Sequence, residues 1–135
     1  MKSQPMAVKQ RSLVNIKIVV VEDHPDIRQA IARFLWNHGA QIFAAKDAFE
    51  GLRLVREIQP DVILSDLKMP GRSGFELLAD IQDFSRSLGR TIPVIAMTAH
   101  RYKQADTAAA GFHMHLEKPF TPDQLMATLD RALHE

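Results

Sequence analysis

The chain has 135 residues, of which 46% are hydrophobic and 24% charged, so it can fold as one domain around its own core. It has no cysteine, which excludes disulfides, thiolate metal sites and cysteine nucleophiles and fits a cytoplasmic protein. The formal net charge is +1, and no apolar run approaches the roughly 20 residues that cross a bilayer, so neither nucleic acid nor a membrane is favoured as a partner.

The first 15 residues are basic and lack the apolar centre of a signal peptide. We interpret residues 1–15 as a flexible basic N-terminal arm and residues 16–135 as the folded domain. From residue 16 onward, short apolar runs alternate with amphipathic stretches. This pattern predicts five strands, at residues 16–21, 41–45, 61–65, 92–98 and 113–116.

Apolar residues at helical spacing predict a helix after each strand. Pro25 stands where the first helical turn begins, and Gly39 ends that helix. Asp47 is expected to cap the second helix. Ser73 is expected to cap the third, with Glu76 completing a capping box.

A less apolar fourth helix is expected around residues 101–110, and Thr121-Pro122 opens the fifth. Strands one, three and four are nearly continuous apolar runs, which is typical of a parallel sheet covered on both faces. Right-handed crossovers then give a doubly wound α/β sandwich. In such a sheet, ligands bind beyond the carboxyl ends of the strands.

Polar residues stand at the ends of four predicted strands. In chain order they are Glu22-Asp23, Asp66, Thr98, which is followed by Ala99, and Lys118, which is followed by Pro119. Carboxylates held a few ångströms apart repel one another unless a cation compensates. The ammonium of Lys118 is one such cation, and Mg²⁺, which prefers oxygen ligands, is another. Each of these residues taken alone also fits an ordinary role, as a helix cap, a turn residue or a solvated side chain. Those roles do not explain why all of them are expected at the same edge of the sheet.

Four motifs carry a resemblance to a known family. They are the acidic pair at 22–23, SDLKMPGRSGFELL at 65–78, PVIAMTA at 93–99 and LEKPF at 116–120. In this order and spacing they resemble the receiver domain of two-component response regulators, over nearly all of residues 16–134. The resemblance implies a flavodoxin-like (βα)5 sandwich whose five-stranded parallel sheet has the strand order 2-1-3-4-5.

In that family, the aspartate that ends the third strand accepts a phosphoryl group from a phosphohistidine on a histidine kinase or a histidine phosphotransfer protein. The resemblance places this role on Asp66. It also implies Mg²⁺, or Mn²⁺, bound directly by Asp23, through water by Glu22, and by Asp66 and the backbone carbonyl of Lys68.

The resemblance further implies that the Lys118 ammonium, the Thr98 hydroxyl and the Ala99 N–H bind the phosphoryl oxygens. Lys118-Pro119 resembles the family's cis peptide. Thr98 and His115 occupy the switch positions. His115 departs from the family, which usually has Tyr or Phe there, and this makes the switch position more polar.

The switch is expected to alter a surface made by the fourth helix, the fifth strand and the fifth helix. Tyr102, Lys103 and His115 are candidates there for contact with a downstream protein, and a homodimer through this surface is left open. The resemblance implies a phospho-accepting regulator rather than an enzyme. It fits a free-standing receiver and, equally, a receiver from a hybrid histidine kinase or a longer regulator.

Other classes fit the motifs less well. A flavodoxin needs a Thr-, Ser- and Gly-rich phosphate loop after the first strand, where this chain has Glu-Asp-His-Pro. A nucleotide-binding domain needs G-x-G-x-x-G or a Walker loop, and GRSG at 71–74 is neither. A haloacid-dehalogenase-type phosphatase needs an aspartate where Lys68 stands. A degenerate receiver that binds partners without phosphorylation is the alternative within the family.

Overall fold

In a computed structural model, residues 12–99 and 103–134 are described. Within these ranges five strands alternate with five helices, and none of those helices is long and apolar enough to cross a membrane. The strands are β1 (Lys17–Val21), β2 (Gln41–Ala45), β3 (Val62–Asp66), β4 (Val94–Thr98) and β5 (Met114–Glu117). The helices are α1 (Pro25–Asn37), α2 (Ala48–Ile58), α3 (Gly74–Leu88), α4 (Gln104–Ala110) and α5 (Pro122–His134). The predicted start of the fourth helix at residue 101 lies outside the described residues.

The strands form one parallel sheet in the order β2-β1-β3-β4-β5, which confirms the predicted fold. Val21, at the end of β1, pairs with Ala45 of β2 and Ser65 of β3. Asp66, at the end of β3, pairs with Met97 of β4. The carboxyl ends of neighbouring strands therefore lie side by side at one edge of the sheet.

Two apolar layers cover the faces of the sheet. On one face, Val19 and Ile63 pack in a cluster with residues of α2 and α3. On the other, Val20 and Leu64 pack with residues of α1 and α5. All four side chains are fully buried, and burying an aliphatic side chain contributes about 1.5–3 kcal/mol. The central strands are thus held rigidly, and so are the polar residues at their ends.

The predicted helix caps are present. The Asp47 carboxylate accepts a hydrogen bond from the N–H of Glu50 at 2.9 Å. The Ser73 hydroxyl accepts from the N–H of Glu76 at 3.2 Å, and the Glu76 carboxylate accepts from the N–H of Ser73 at 2.9 Å. These contacts confirm the cap of α2 and the capping box of α3.

The folded part of the chain begins earlier than the predicted boundary at residue 16. Leu13 is 5% exposed and packs in the layer formed by α1 and α5. Its N–H donates to the carbonyl of His38 at 2.8 Å. Leu13 therefore packs with the domain, three residues before the boundary that the sequence predicted. Residues 1–11 lie outside the described part, so the flexible arm stays a prediction.

The start of α3 approaches the end of β3 too closely for a side chain at Gly74. A Cβ there would lie 2.2 Å from the carbonyl oxygen of Asp66 and 2.8 Å from the Cα of Leu67. Backbone atoms would have to move, so we expect Gly74→Ala to lower the free energy of unfolding by about 3 kcal/mol, measured by urea denaturation.

Gly89 is the matched control for this collision. Its φ is +72°, and a Cβ there would meet nothing within 4 Å. Gly89→Ala should therefore cost only about 1 kcal/mol, from backbone conformation alone. Equal losses in the two variants would contradict a steric role for Gly74.

Candidate functional site

Three carboxylates meet at the carboxyl edge of the sheet. Glu22 and Asp23 follow β1, and Asp66 ends the neighbouring strand β3. Each contributes one oxygen to a group in which all three atoms lie within 4.8 Å of one another. Glu22 is 1% exposed and Asp66 is 8% exposed, while Asp23 is half-buried. The fold thus brings together the acidic residues that the sequence predicted at this edge.

The ammonium of Lys118 joins two of these carboxylates. Its Nζ lies 2.6 Å from Oε1 of Glu22 and 3.4 Å from Oδ2 of Asp66. The backbone N–H of Lys118 donates to the carbonyl of Thr98 at 2.8 Å, which ties this residue to the end of β4. The peptide bond between Lys118 and Pro119 is cis. The ammonium of Lys118, which follows β5, therefore reaches acids at the ends of two other strands, β1 and β3.

The environment of Asp66 disfavours its negative charge. Burial, and next the charge of Glu22, raise the pKa of Asp66 from 3.8 to about 7, and Lys118 offsets only part of this. Oδ1 of Asp66 also accepts a hydrogen bond from the N–H of Leu67 at 2.9 Å. One ammonium is therefore too little positive charge for three ionised carboxylates. The all-oxygen donor set fits a divalent ion such as Mg²⁺, which would remove the repulsion.

Thr98, fully buried at the end of β4, belongs to a chain of hydrogen bonds that reaches α4. Its hydroxyl donates to the carbonyl of Ala99 at 3.0 Å and lies 3.3 Å from Nε2 of His115. Nδ1 of His115 lies 2.8 Å from the hydroxyl of Thr107. The Thr107 hydroxyl donates in turn to the carbonyl of Gln104 at 3.0 Å. The imidazole of His115 thus connects the end of β4 with α4.

The donor and acceptor roles in this chain depend on the tautomer of His115. A neutral imidazole carries one N–H, so one ring nitrogen can donate to a threonine hydroxyl while the other can accept from one. The hydroxyl orientations of Thr98 and Thr107 are therefore linked through His115.

Three further predicted residues, Ala99, Lys68 and Lys103, lie close to the ends of strands or to the start of α4. Ala99 is exposed and lines an apolar groove beside Lys118. Lys68, just beyond β3, and Lys103, which precedes α4, are exposed. The roles assigned to the Lys68 carbonyl and the Ala99 N–H stay predictions. Tyr102 lies outside the described residues.

Two residues near the site were missed by sequence reasoning. Nη1 of Arg28 donates to the carbonyl of Glu22 at 2.8 Å and to that of Asp23 at 3.4 Å. Thr107 is 1% exposed and binds His115. The available signals were weak, namely a basic residue one turn into α1 and a hydroxyl among the alanines of α4.

Comparisons with known proteins point in one direction. The family model described as response regulator receiver domain matches residues 18–130. An uncharacterized 14.6 kDa protein of Leptolyngbya boryana is 35% identical over 118 residues, which cover 86% of this chain and 88% of that protein. The sensor histidine kinase RcsC of Salmonella typhi is 34% identical over 117 residues, 85% of this chain but 12% of the kinase. The crystal structure of a response regulator receiver domain protein from Clostridium thermocellum has a TM-score of 0.79 at 29% identity, covering 88% of this chain and 94% of that one.

Proposed function

This chain belongs to the response regulator receiver domain family, and on that premise we propose that Asp66 accepts a phosphoryl group and that the change is passed to a partner protein. The observation that carries the proposal is the position of Asp66. Its carboxylate lies at the carboxyl edge of the sheet, beside two further carboxylates and the ammonium of Lys118. A buried carboxylate in such a setting is typical of a functional site.

In the proposed reaction, a carboxylate oxygen of Asp66 attacks the phosphorus of a phosphohistidine. A P–O bond forms as the P–N bond breaks, and the imidazole nitrogen of the donor leaves with the electron pair. Lys118, whose Nζ lies 3.4 Å from Oδ2 of Asp66, would pair with a phosphoryl oxygen. Glu22, Asp23 and Asp66 would hold Mg²⁺, which when bound supplies positive charge that offsets the carboxylates and the phosphoryl group.

An apolar groove beside Lys118 is the surface that we assign to the phosphoryl donor. Residues of α1 and of the segments after β4 and β5 line it; they include Ile27, Ala30, Ile31, Ala99, Pro119 and Phe120. A helical histidine kinase or histidine phosphotransfer domain would cover this groove and bring its phosphohistidine to the acidic edge. The groove therefore supports a protein as the donor.

The switch is proposed to run through the chain of hydrogen bonds described above. A phosphoryl group on Asp66 adds strong acceptors, which would draw the Thr98 hydroxyl toward them. Thr98 would then leave its contact with His115, and the His115 ring would be free to change its bond with Thr107. Since Thr107 lies on α4, the change would reach the surface formed by α4, β5 and α5.

Thr107→Val tests this path, because valine keeps the shape and removes the hydroxyl. We expect labelling of Asp66 at the wild-type rate, while the amide NMR shifts that labelling causes in α4 fall by at least half. Loss of the hydrogen bonds that the Thr107 hydroxyl makes should lower the free energy of unfolding by about 1 kcal/mol. Thr128→Val is the control, since Thr128 donates to the carbonyl of Gln124 within α5. Unchanged α4 shifts in the Thr107 variant would count against the path.

The function itself is tested by labelling with acetyl phosphate, with and without Mg²⁺. We expect a mass increase of one phosphoryl group with Mg²⁺ and almost none with EDTA, because repulsion among the carboxylates then opposes a further anion. Intact-protein mass spectrometry measures both. Absence of labelling under any divalent ion would favour a receiver that binds partners without phosphorylation.

The wider setting stays a prediction. The chain covers most of one small relative but only 12% of the kinase RcsC, so it fits a free-standing receiver and a module of a longer protein. The kinase or phosphotransfer donor, the downstream protein, a homodimer and a cytoplasmic location are proposals from the resemblance. We infer a phospho-accepting regulator rather than an enzyme with its own substrate.

A further inference from the structure

Arg28 lies one turn into α1, and its guanidinium reaches back over the segment that joins β1 to α1. Nη1 donates to the carbonyl of Glu22 at 2.8 Å and to the carbonyl of Asp23 at 3.4 Å. Side chains on a helix tilt toward its amino terminus, so this position directs a long side chain onto the preceding loop. The half-buried Arg28 therefore binds the backbone of the residues whose carboxylates form the acidic site.

Regular backbone pairing ends at this segment. β1 stops at Val21, and the N–H of Glu22 makes one more bond, to the carbonyl of Ala45 at 3.0 Å. His24, the N-cap residue of α1, makes no side-chain cap hydrogen bond. The carbonyls of Glu22 and Asp23 lie just past the strand, and there the guanidinium supplies the donors.

We infer that Arg28 is a positioning residue for the divalent cation of this site. It acts by fixing the peptide units that set the directions of the Glu22 and Asp23 side chains. This inference rests on the proposed function, because it assumes that these carboxylates hold the ion. Groups that orient metal ligands from behind typically change metal affinity 10–100-fold.

The direction in which Mg²⁺ affinity changes when Arg28 is replaced distinguishes a positioning role from a purely electrostatic one. A guanidinium near a cation site repels the cation, so charge alone predicts that removing Arg28 strengthens Mg²⁺ binding. Positioning predicts the opposite, because a loop that samples more conformations presents its carboxylates together less often. A weaker affinity in a variant without this charge is therefore not an electrostatic effect.

The experiment is a calorimetric titration of the full chain with Mg²⁺ alone, without a phosphoryl donor. We expect Arg28→Ala and Arg28→Gln to bind Mg²⁺ about 10-fold more weakly than the wild type. Arg33→Ala is the matched control, since Arg33 lies exposed on the same helix, and it should bind like the wild type. Asp23→Ala reports on the site itself and should bind far more weakly.

The outcomes are distinguishable. Wild-type or tighter affinity in either Arg28 variant overturns the inference while leaving the proposed function intact. Absence of Mg²⁺ binding by the wild type, or full binding by Asp23→Ala, overturns the metal site and the inference with it. If the alanine variant fails to fold, as judged by urea denaturation without Mg²⁺, the glutamine variant decides the result, because its side chain keeps part of the stem but is too short to place a donor where Nη1 of Arg28 lies.

Discussion

Asp66→Asn is expected to abolish phosphoryl labelling by acetyl phosphate in the presence of Mg²⁺. An uncharged amide is a poor nucleophile, and the neighbouring carboxylate of Glu22 is 1% exposed and already paired with Lys118. Intact-protein mass spectrometry checks the result. Asp83→Asn is the control, because this carboxylate is 72% exposed on α3 and should not affect labelling. A phosphoryl group found on the Asp66→Asn variant would remove Asp66 from its proposed role.

Loss of labelling in that variant should not come from unfolding. The pKa of Asp66 is raised from 3.8 to about 7, so the folded state favours the protonated form. Without a divalent ion, stability is then lost as pH rises through this window, and it stays low above it. Asparagine does not titrate, so at about pH 8 in EDTA the variant should be more stable than the wild type by roughly 1–3 kcal/mol. Urea denaturation at two pH values measures this difference, and a less stable variant at high pH would contradict the assignment.

Lys118→Ala is expected to have two effects. The first is on folding, because it removes the ammonium that lies 2.6 Å from the buried carboxylate of Glu22. Breaking such a pair leaves an uncompensated charge, so we expect a loss of roughly 3 kcal/mol without Mg²⁺. The second effect is on the switch. Labelling of Asp66 should persist at a reduced level, while the accompanying NMR shifts in α4 and β5 disappear.

Lys17→Ala is the control for both effects of the Lys118 variant. Lys17 is exposed at the start of β1, at the other end of the sheet from the acidic edge. Its loss should change neither stability in EDTA nor the response of α4. If labelled Lys118→Ala still shifted the α4 and β5 amides, the ammonium would have no part in the switch.

Local chemistry explains why much of the fold was predictable. The side chains of Asp47 and Ser73 cap helices only three residues away, so the sequence shows these caps directly. The central strands are continuous apolar runs, which the sequence also shows directly. Boundaries were less predictable. The fourth strand was expected from residue 92 but begins at Val94, since Pro93 has no N–H to contribute to the ladder.

The site was predictable where its residues end strands, and not where contacts depend on packing between elements. Parallel strands bring their carboxyl ends to one edge, so Asp66 and the acids after β1 were expected to meet. The bond between His115 and Thr107 depends on how α4 lies against β5. The burial of Leu13 could not be predicted either, because the sequence of a basic, polar segment does not show which of its apolar residues packs in the core.

The burial of Leu13 has a practical consequence for studying the protein on a solid support. The N–H of Leu13 donates a hydrogen bond to the carbonyl of His38, which lies in the connection from α1 to the amino end of β2. Asp66 lies at the carboxyl ends of the strands, on the opposite edge of the sheet. Leu13 therefore lies at the edge of the sheet opposite Asp66, the proposed phosphoryl acceptor. Protein held on a sensor chip from the side of Leu13 would keep its acidic edge accessible to a protein partner in the flowing solution.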